Sequence, residues 1–244
     1  TETTETETDS TDSTDTGLPE DLFASDVFLN IAHRGGGRLR PEATLIAFEH
    51  ALEVGSEVIE MDLHATADGV IVVLHDDTVD RTTNGTGAVQ DMTLEQIKQL
   101  DAGYNFTTDG GRTYPYRDMG VEIPTLDEVL TAFPGRHYLM EIKQSEPSIV
   151  DAVEAILVAH ELGERVILAS FDDATIEEVR ALLARELDPE LPVMKALGVE
   201  DIRYLLKERG SEAHALEALQ LGTRHFAKRQ PERPGGHAQK QGAA

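Results

Sequence analysis

The sequence predicts an α/β fold in which short strands and helices alternate around a parallel sheet. One repeated sequence pattern and one rule of topology predict it. Short apolar runs are followed repeatedly by segments whose apolar residues recur at helical spacing. Repeated βα units of this kind form parallel sheets through right-handed crossovers. The pattern leaves open whether the sheet stays open or closes into a barrel.

Six short apolar segments are predicted to be strands: residues 28–32, 58–63, 70–74, 137–142, 166–169 and 191–197. Helical spacing predicts one helix that opens at Pro41 and ends at Gly55, and five more: residues 94–100, 126–132 after the capping residue Thr125, 148–162, 174–187 and 199–207. An eight-stranded barrel needs about 250 residues, and this chain has fewer once its tail and the insertion at residues 80–123 are left out. A barrel formed by its six predicted strands is therefore expected to be incomplete at its C-terminal end.

Residues 80–123 interrupt the alternation of strands and helices. They are rich in Gly, Thr and Asp and carry four aromatic side chains: Tyr104, Phe106, Tyr114 and Tyr116. An insertion of this length is usually functional or forms a small subdomain. It is interpreted either as a cap stabilised by its aromatic residues or as a lid that shapes a substrate pocket, and the two interpretations are compatible.

The N-terminal end is predicted to be an acidic spacer over residues 1–21, ahead of a folded domain over residues 22–222. Its first sixteen residues are almost wholly Thr, Glu, Asp and Ser, which cannot bury enough apolar surface to fold. The chain begins with Thr1 rather than Met, so a processed or excised form is expected. A solubilising tail is the first interpretation. A tether to a removed export or anchoring signal is the alternative, which favours a secreted or cell-surface location and leaves a cytoplasmic one open.

Residues 223–244 form a basic tail in which Glu232 is the only acid, with many Gly, Pro and Gln residues. This discordant composition is interpreted as out-of-frame or foreign sequence after a truncation. The alternative is a native basic tail that contacts nucleic acid or the acidic body of the protein.

The charge balance limits the function of the folded domain. The chain has 46 acidic and 21 basic residues and a net charge of -25, which argues against a general binder of nucleic acid or anionic membranes. No Cys is present, so disulfides and thiolate metal sites are excluded. No apolar run approaches the roughly 18 residues of a transmembrane segment. The sequence gives no indication of the oligomeric state.

Carboxylates inside two predicted strands indicate a metal site. Side chains two residues apart share a strand face, so Glu60 and Asp62 project together, as do Glu141 and Lys143. An exposed strand face would explain an isolated acid pair, but the apolar residues around Glu60 and Asp62 predict a strand buried on both sides. Buried acids need a cation or a partner. Clustered carboxylate oxygens suit Mg²⁺ or Ca²⁺.

Two histidines, His33 and His75, each follow an apolar run. One such His is more often structural than catalytic, but two at strand ends beside an acidic strand indicate an acid/base couple. Arg34 offers a fork suited to phosphate oxygens and Lys143 a point charge. A base, an acid and cations are the parts that phosphodiester cleavage requires.

The motifs that carry this chemistry resemble the glycerophosphodiester phosphodiesterase family, a (β/α)8-barrel relative of the phosphoinositide-specific phospholipases C. The matching segments span about residues 28–172, in order: IAHRGG, PEATLIAF, EMDLHATADGVIVVLHDDTVDRTTNGTG, IPTLDEVL, YLMEIK and SFD. The resemblance implies a TIM-barrel fold with a small capping insertion at residues 80–123.

The resemblance also implies roles for single residues. Glu60, Asp62 and Glu141 would bind a divalent metal, Mg²⁺ or Ca²⁺. His33 would be the general base and His75 the general acid. The substrate-binding residues would be Arg34, Glu42 and Lys143. The reaction would be hydrolysis of a small glycerophosphodiester to glycerol phosphate and an alcohol.

The chain departs from the family pattern at two places. Ala43 stands where the family usually has Asn, which removes a polar contact. The resemblance fades after about Lys207, and the chain has no Trp for the family's late Trp-containing motif. Two alternatives therefore stand beside the main hypothesis: a lysophospholipase D-like or C-like phosphodiesterase, and a truncated non-catalytic remnant that binds phosphate esters or a partner.

The acidic, Lys-poor composition predicts a halophilic protein, because salt screens the repulsion among its carboxylates. We expect the thermal unfolding temperature and any activity to rise when molar KCl is added to protein in low-salt buffer. Equal stability and activity with and without molar salt would contradict a halophilic origin.

Overall fold

The computed structural model describes residues 29–162, 165–184 and 195–197. The strands in these ranges are β1 (Ile31–Ala32), β2 (Val58–Ala65), β3 (Ile71–Val73), β4 (His137–Ile142), β5 (Val166–Ala169) and β6 (Lys195–Leu197). The helices are α1 (Leu45–Glu53), α2 (Leu94–Ile97), α3 (Leu126–Ala132), α4 (Val150–Ala159) and α5 (Asp173–Ala184). No helix in these ranges is long and apolar enough to cross a bilayer.

The strands form one sheet in the order β1-β2-β4-β5-β6, and all neighbours in this series are parallel. Strand β3 pairs antiparallel with the C-terminal end of β2. The parallel neighbours put their C-terminal ends at one edge of the sheet, which is where α/β enzymes carry their functional residues. The alternation of strands and helices confirms the predicted α/β class.

The predicted element bounds agree closely with the structure for β4, β5 and α3. Thr125 caps α3 in a capping box, in which its hydroxyl accepts from the Glu128 amide and the Glu128 carboxylate accepts from the Thr125 amide. Strand β2 is two residues longer than predicted. The predicted helix over residues 199–207 lies outside the described residues, as do the two predicted tails. The ends of three other predicted elements also lie outside them: residues 28, 185–187 and 191–194.

The predicted start of the first helix at Pro41 is wrong. Helix α1 begins at Leu45, because Thr44 has an extended backbone and its hydroxyl accepts from the Ala47 amide as an N-cap. Ala43, just before it, has a positive φ of 57°, a left-handed conformation that Asn adopts far more readily than Ala. Position 43 therefore favours Asn for its left-handed backbone as well as for the polar contact that the sequence shows to be lost.

The two faces of β2 have different surroundings. Ile59, Met61, Leu63 and Ala65 point into the main hydrophobic core, while Glu60 and Asp62 occupy the alternate face. All eight residues of β2 are buried. The prediction of an acid-bearing strand buried on both sides is thus confirmed.

The inserted segment builds a second, smaller core against β3. This core includes Val72 of β3 and Leu74, which follows β3. Its buried apolar members are Val72, Leu74, Val79, Val89, Ile97, Ala102, Val121 and Ile123. At its surface the Arg117 guanidinium lies 4.0 Å from the Tyr104 ring centroid and 3.9 Å from that of Tyr114. Burial and stacking therefore support the interpretation of this segment as a cap with its own aromatic contacts.

The turn after β1 is packed tightly onto α1. Arg34, Gly35 and Gly36 have φ values of 52°, 70° and 76°, so three consecutive residues have left-handed backbone. A Cβ on Gly35 would lie 2.8 Å from Phe48 Cδ1 and 2.9 Å from Ala47 Cβ, whereas a Cβ on Gly36 would meet no atom within 4 Å. The close approach of α1 therefore requires glycine at position 35.

These two glycines provide a matched pair of substitutions. Gly35→Ala and Gly36→Ala both place Ala at positive φ, which costs about 1–2 kcal/mol, but only Gly35→Ala also overpacks the contact with Phe48, at about 1–3 kcal/mol more. We expect urea unfolding to show the larger loss of stability for Gly35→Ala. Equal losses for the two variants would contradict the packing argument.

Candidate active site

The structure brings the predicted site residues together at the C-terminal edge of the sheet. His33 and Arg34 follow β1, Glu60 and Asp62 lie on β2, and His75 follows β3. In the parallel pairing of β2 with β4, Asp62 is the register partner of Glu141. The predicted residue Glu42 lies in the turn before α1, and Lys143 follows β4 directly.

Arg34 connects three carboxylates. Its left-handed backbone directs the main-chain N–H to Glu60 Oε2, at 2.5 Å. Its side chain donates from Nη1 to Glu42 Oε1 at 3.2 Å, and its Nε lies 3.6 Å from Asp62 Oδ2. The unusual turn thus puts one cation, already predicted as a phosphate ligand, against the acids of β2.

Lys143 approaches the same acids from the other side. Its Nζ donates to Glu141 Oε1 at 2.8 Å and lies 3.6 Å from Asp62 Oδ1. Asp62 therefore lies between the cations of Arg34 and Lys143, with each nitrogen beyond hydrogen-bond reach. Since the guanidinium and the ammonium are both partly exposed, an anion could contact the two cations together.

Burial dominates the ionisation of the β2 carboxylates. Desolvation, followed by the neighbouring Asp62 charge, raises the pKa of Glu60 to about 8. Desolvation also raises the pKa of Asp62 to about 6, although Lys143 and the other nearby cations oppose it. The protein thus keeps two acids where their charged forms are costly without an additional cation.

The chemistry of these oxygens fits a hard divalent cation. Asp62 is 1% exposed, and its Oδ2 has no hydrogen-bond partner. Within the described ranges, however, no three His, Asp or Glu side chains converge closely enough to hold a metal as they stand. The Glu141 carboxylate accepts from Lys143 instead. The structure therefore supplies suitable oxygen ligands without showing a metal centre.

His75 is oriented by its own neighbour in sequence. The His75 Nδ1 lies 2.6 Å from Asp76 Oδ1, and because a carboxylate only accepts, Nδ1 carries a proton. The backbone of His75 is held as well, since His64 Nε2 donates to its carbonyl oxygen at 3.3 Å. The ring nitrogen left for a reacting group is Nε2.

His33 lies exposed at the surface of the site. Loss of hydration around its ring lowers its pKa, and the charges of Arg34 and His75 lower it further. Because the charge of His75 affects the pKa of His33, the two histidines that were predicted to be catalytic lie in one electrostatic environment. A neutral His33 at neutral pH is able to accept a proton.

Arg81, which sequence reasoning did not select, lies at the centre of the polar contacts. It donates to Glu42 from Nη1 at 2.9 Å and from Nη2 at 2.7 Å, and to Asp76 from Nε at 2.6 Å. The Arg81 and His75 charges and hydrogen bonds lower the pKa of Asp76 to about 2. Arg81 could have been selected because it lies in DRTTNGTG, a segment that carries the family resemblance. The sequence did not show which acids its side chain would contact.

A pocket of about 210 Å³ lies beside this cluster. One wall comes from the turn before α1 and the other from the inserted segment, and the lining residues are Gly37, Pro41, Glu42, Arg81, Thr82, Ala102, Asn105, Phe106 and Thr107. The insertion thus shapes a pocket next to the site, in addition to forming a cap.

Comparison with protein families places the sequence beside known phosphodiesterases. Residues 33–234 match the model of the glycerophosphoryl diester phosphodiesterase family. A glycerophosphodiester phosphodiesterase of Caldanaerobacter subterraneus subsp. tengcongensis is 40% identical over 159 residues, 63% of this chain and 62% of that protein. One from Bacillus subtilis is 36% identical over 186 residues, 72% of this chain and 61% of that protein. The chain therefore spans about three fifths of the length of these relatives.

Solved structures show the same fold. The glycerophosphoryl diester phosphodiesterase domain of a Mycobacterium tuberculosis protein aligns with a TM-score of 0.64 and 26% identity over 78% of this chain and 67% of that one. A phosphodiesterase of Oleispira antarctica, solved with the product sn-glycerol-3-phosphate, aligns with a TM-score of 0.56 and 29% identity over 65% of this chain and 64% of that one. The described sheet is thus part of a TIM-type (β/α) barrel, as the sequence predicted.

The raised pKa of Glu60 predicts how stability varies with pH. Between pH 4.5, the ordinary value for Glu, and about 8, the folded protein keeps the Glu60 proton while the unfolded chain releases it. Metal-free protein is therefore expected to lose stability as pH rises through this window, by about 1.4 kcal/mol for each pH unit at most. Asp62 acts in the same direction up to about pH 6.

Thermal unfolding in the presence of a chelator tests this expectation. Glu60→Gln should be more stable than the wild type at pH 8 and should vary less with pH. Glu49→Gln, an exposed residue of α1, is the control with the same change in charge. If Glu60→Gln and Glu49→Gln show the same pH profile, Glu60 does not carry a raised pKa.

Proposed function

The chain belongs to the glycerophosphoryl diester phosphodiesterase family, and from this premise we propose that it hydrolyses glycerophosphodiesters to glycerol phosphate and an alcohol. The observation that carries the proposal is the cluster at the end of β2, where Asp62 lies 3.6 Å from both Arg34 Nε and Lys143 Nζ. Two cations beside buried carboxylates, with a histidine after each of two strands that pair with β2, are suited to a phosphodiester.

Arg34 and Lys143 would bind the phosphate group of the substrate. The guanidinium and the ammonium offer donors to phosphate oxygens that bear negative charge. With a net charge of -25, the chain needs such a local positive cluster to attract an anionic substrate. Glu42 would act indirectly, because it accepts from Arg34 Nη1 at 3.2 Å and so fixes the guanidinium.

His33 and His75 would move the protons of the reaction. As the attacking oxygen forms its bond to phosphorus, neutral His33 takes the proton from that oxygen. His75 acts here as an imidazolium, with one proton on Nδ1 donated to Asp76 and one on Nε2. As the bond from phosphorus to the alcohol oxygen breaks, it gives the Nε2 proton to the leaving alkoxide. The hydrogen bond from His75 Nδ1 to Asp76 supports this role because it leaves Nε2 for the substrate.

A divalent cation, Mg²⁺ or Ca²⁺, would be held by Glu60, Asp62 and Glu141. The buried Asp62 Oδ2, which has no hydrogen-bond partner, and the raised pKa values of Glu60 and Asp62 support this assignment. When bound, the cation supplies positive charge that stabilises the charge growing on the phosphoryl oxygens. It would also allow both β2 acids to ionise in place.

A lysophospholipase-type activity is the second candidate. The Phe171 side chain is exposed by 55%, and its ring centroid lies 5.6 Å from Lys143 Nζ. Leu39, in the turn after His33, is equally exposed. Apolar groups beside a phosphate-binding Lys suit a diester that carries an acyl chain. Comparing hydrolysis of glycerophosphocholine with that of lysophosphatidylcholine distinguishes the two candidates.

The main proposal predicts release of glycerol phosphate from glycerophosphocholine when Mg²⁺ or Ca²⁺ is present, and loss of release with a chelator. His33→Ala should lower kcat by about 10²–10⁴, the usual contribution of a general base. His50→Ala, on α1, is the control and should stay within about threefold of wild type. Product is measured with a coupled glycerol phosphate assay.

Two outcomes would contradict parts of this proposal. Full activity in His33→Ala would remove its role as base. Binding of glycerophosphocholine without turnover under any metal condition would identify the chain as a non-catalytic phosphate-ester binder.

A further inference from the structure

We propose that Arg81 is a positioning residue that holds the proton-donating histidine and the phosphate-binding arginine in register. The inference rests on the proposed function, in which His75 protonates the leaving alcohol and Arg34 binds the phosphate. Arg81 acts on the reaction through Asp76 and Glu42.

The Arg81 guanidinium uses two of its edges at once. On one edge Nε donates to Asp76 Oδ2 at 2.6 Å and Nη2 to Asp76 Oδ1 at 3.0 Å. On the other edge Nη1 donates to Glu42 Oε2 at 2.9 Å and Nη2 to Glu42 Oε1 at 2.7 Å. Only a planar guanidinium can hold two carboxylates in this way, because a lysine ammonium has no fixed fork.

Each of these two carboxylates also accepts a hydrogen bond from a residue that acts on the substrate. Asp76 Oδ1 accepts from His75 Nδ1 at 2.6 Å, and Glu42 Oε1 accepts from Arg34 Nη1 at 3.2 Å. The series His75, Asp76, Arg81, Glu42 and Arg34 is therefore continuous. It sets the position of the donor Nε2–H relative to the bound phosphate.

The inserted segment fixes the backbone that carries Arg81. Asn105 Nδ2 donates to the carbonyl oxygens of Arg81 at 3.1 Å and Thr83 at 2.8 Å. The Thr83 hydroxyl, itself buried, donates to the Val79 carbonyl oxygen at 2.7 Å. The Asn105 side chain thereby fixes the part of the backbone from which Arg81 reaches Asp76 and Glu42.

Because Arg81 is partly exposed, its effect on the position of His75 can be distinguished from an effect on folding stability. Its side chain is 46% exposed, and those of Asp76 and Glu42 are 27% and 16% exposed. Ion pairs that are open to water contribute little to folding stability because solvent screens them. Loss of Arg81 is therefore expected to change the geometry of His75 far more than the unfolding temperature.

The chemistry of the leaving group provides the test. An alkoxide such as that of choline must be protonated as its bond to phosphorus breaks, whereas 4-nitrophenolate leaves without a proton. A variant with a misplaced His75 should fail only on the first kind of substrate. The substrates are glycerophosphocholine and the 4-nitrophenyl diester of glycerol phosphate, each with saturating Mg²⁺.

Arg81→Gln, Arg81→Lys and Asp76→Asn are compared with the wild type in the full chain. We expect kcat on glycerophosphocholine to fall by about 100-fold or more in all three variants, as when a general acid is lost. On the nitrophenyl diester we expect kcat within about fivefold of wild type. In the two Arg81 variants we also expect KM to rise on both substrates, because the Glu42 carboxylate that fixes the phosphate-binding Arg34 loses its contact with Arg81. The unfolding temperature of each variant should stay close to that of the wild type.

Arg117→Gln is the matched control, because Arg117 also belongs to the inserted segment but stacks between Tyr104 and Tyr114. A purely structural effect of the insertion should lower kcat on both substrates alike in this variant.

Equal losses on both substrates in Arg81→Gln and Asp76→Asn would overturn the positioning role. Wild-type activity in Arg81→Lys would show that charge suffices and would also overturn it. A wild type that cleaves neither diester would instead refute the proposed function.

Discussion

The burial of two like-charged carboxylates on one strand is the constraint on which the site depends. Glu60 is 7% and Asp62 1% exposed, so neither can be stabilised by bulk water. Glu60 accepts a hydrogen bond from the backbone N–H of Arg34, and Asp62 lies between the Arg34 guanidinium and the Lys143 ammonium. Desolvation and the repulsion by Asp62 keep the pKa of Glu60 raised to about 8 even so. An arrangement this costly for folding is typical of a functional site.

The backbone after β1 is shaped by the same constraint. Three left-handed residues in succession turn the chain so that the Arg34 N–H meets Glu60 Oε2. That turn can form only because Gly35 lets α1 approach closely through Phe48. The strain of a non-glycine residue at positive φ is thereby offset by contacts to a buried acid and to the core.

The inserted segment has two physical roles that reinforce each other. Its small apolar core and the stacking of Arg117 make it a stable cap. Its Arg81 connects Asp76 after β3 with Glu42 before α1. The C-terminal edge of the sheet and the inserted segment, which the sequence presents as separate elements, are therefore joined by charge-assisted hydrogen bonds.

Sequence by itself determined the α/β alternation, the buried acidic strand and the eight candidate residues, because each depends on local periodicity or on a short motif. The Glu60 and Asp62 pair could be placed on one face from the two-residue repeat of a strand alone. Only tertiary structure decided that Asp62 is paired in register with Glu141 and that Arg81 reaches Glu42, 39 residues away. The tertiary structure also shows that α1 begins at Leu45 and not at Pro41, because the turn around Ala43 places Thr44 as the N-cap. Periodicity encodes which face a side chain occupies, whereas ion-pair partners depend on how distant segments meet in space.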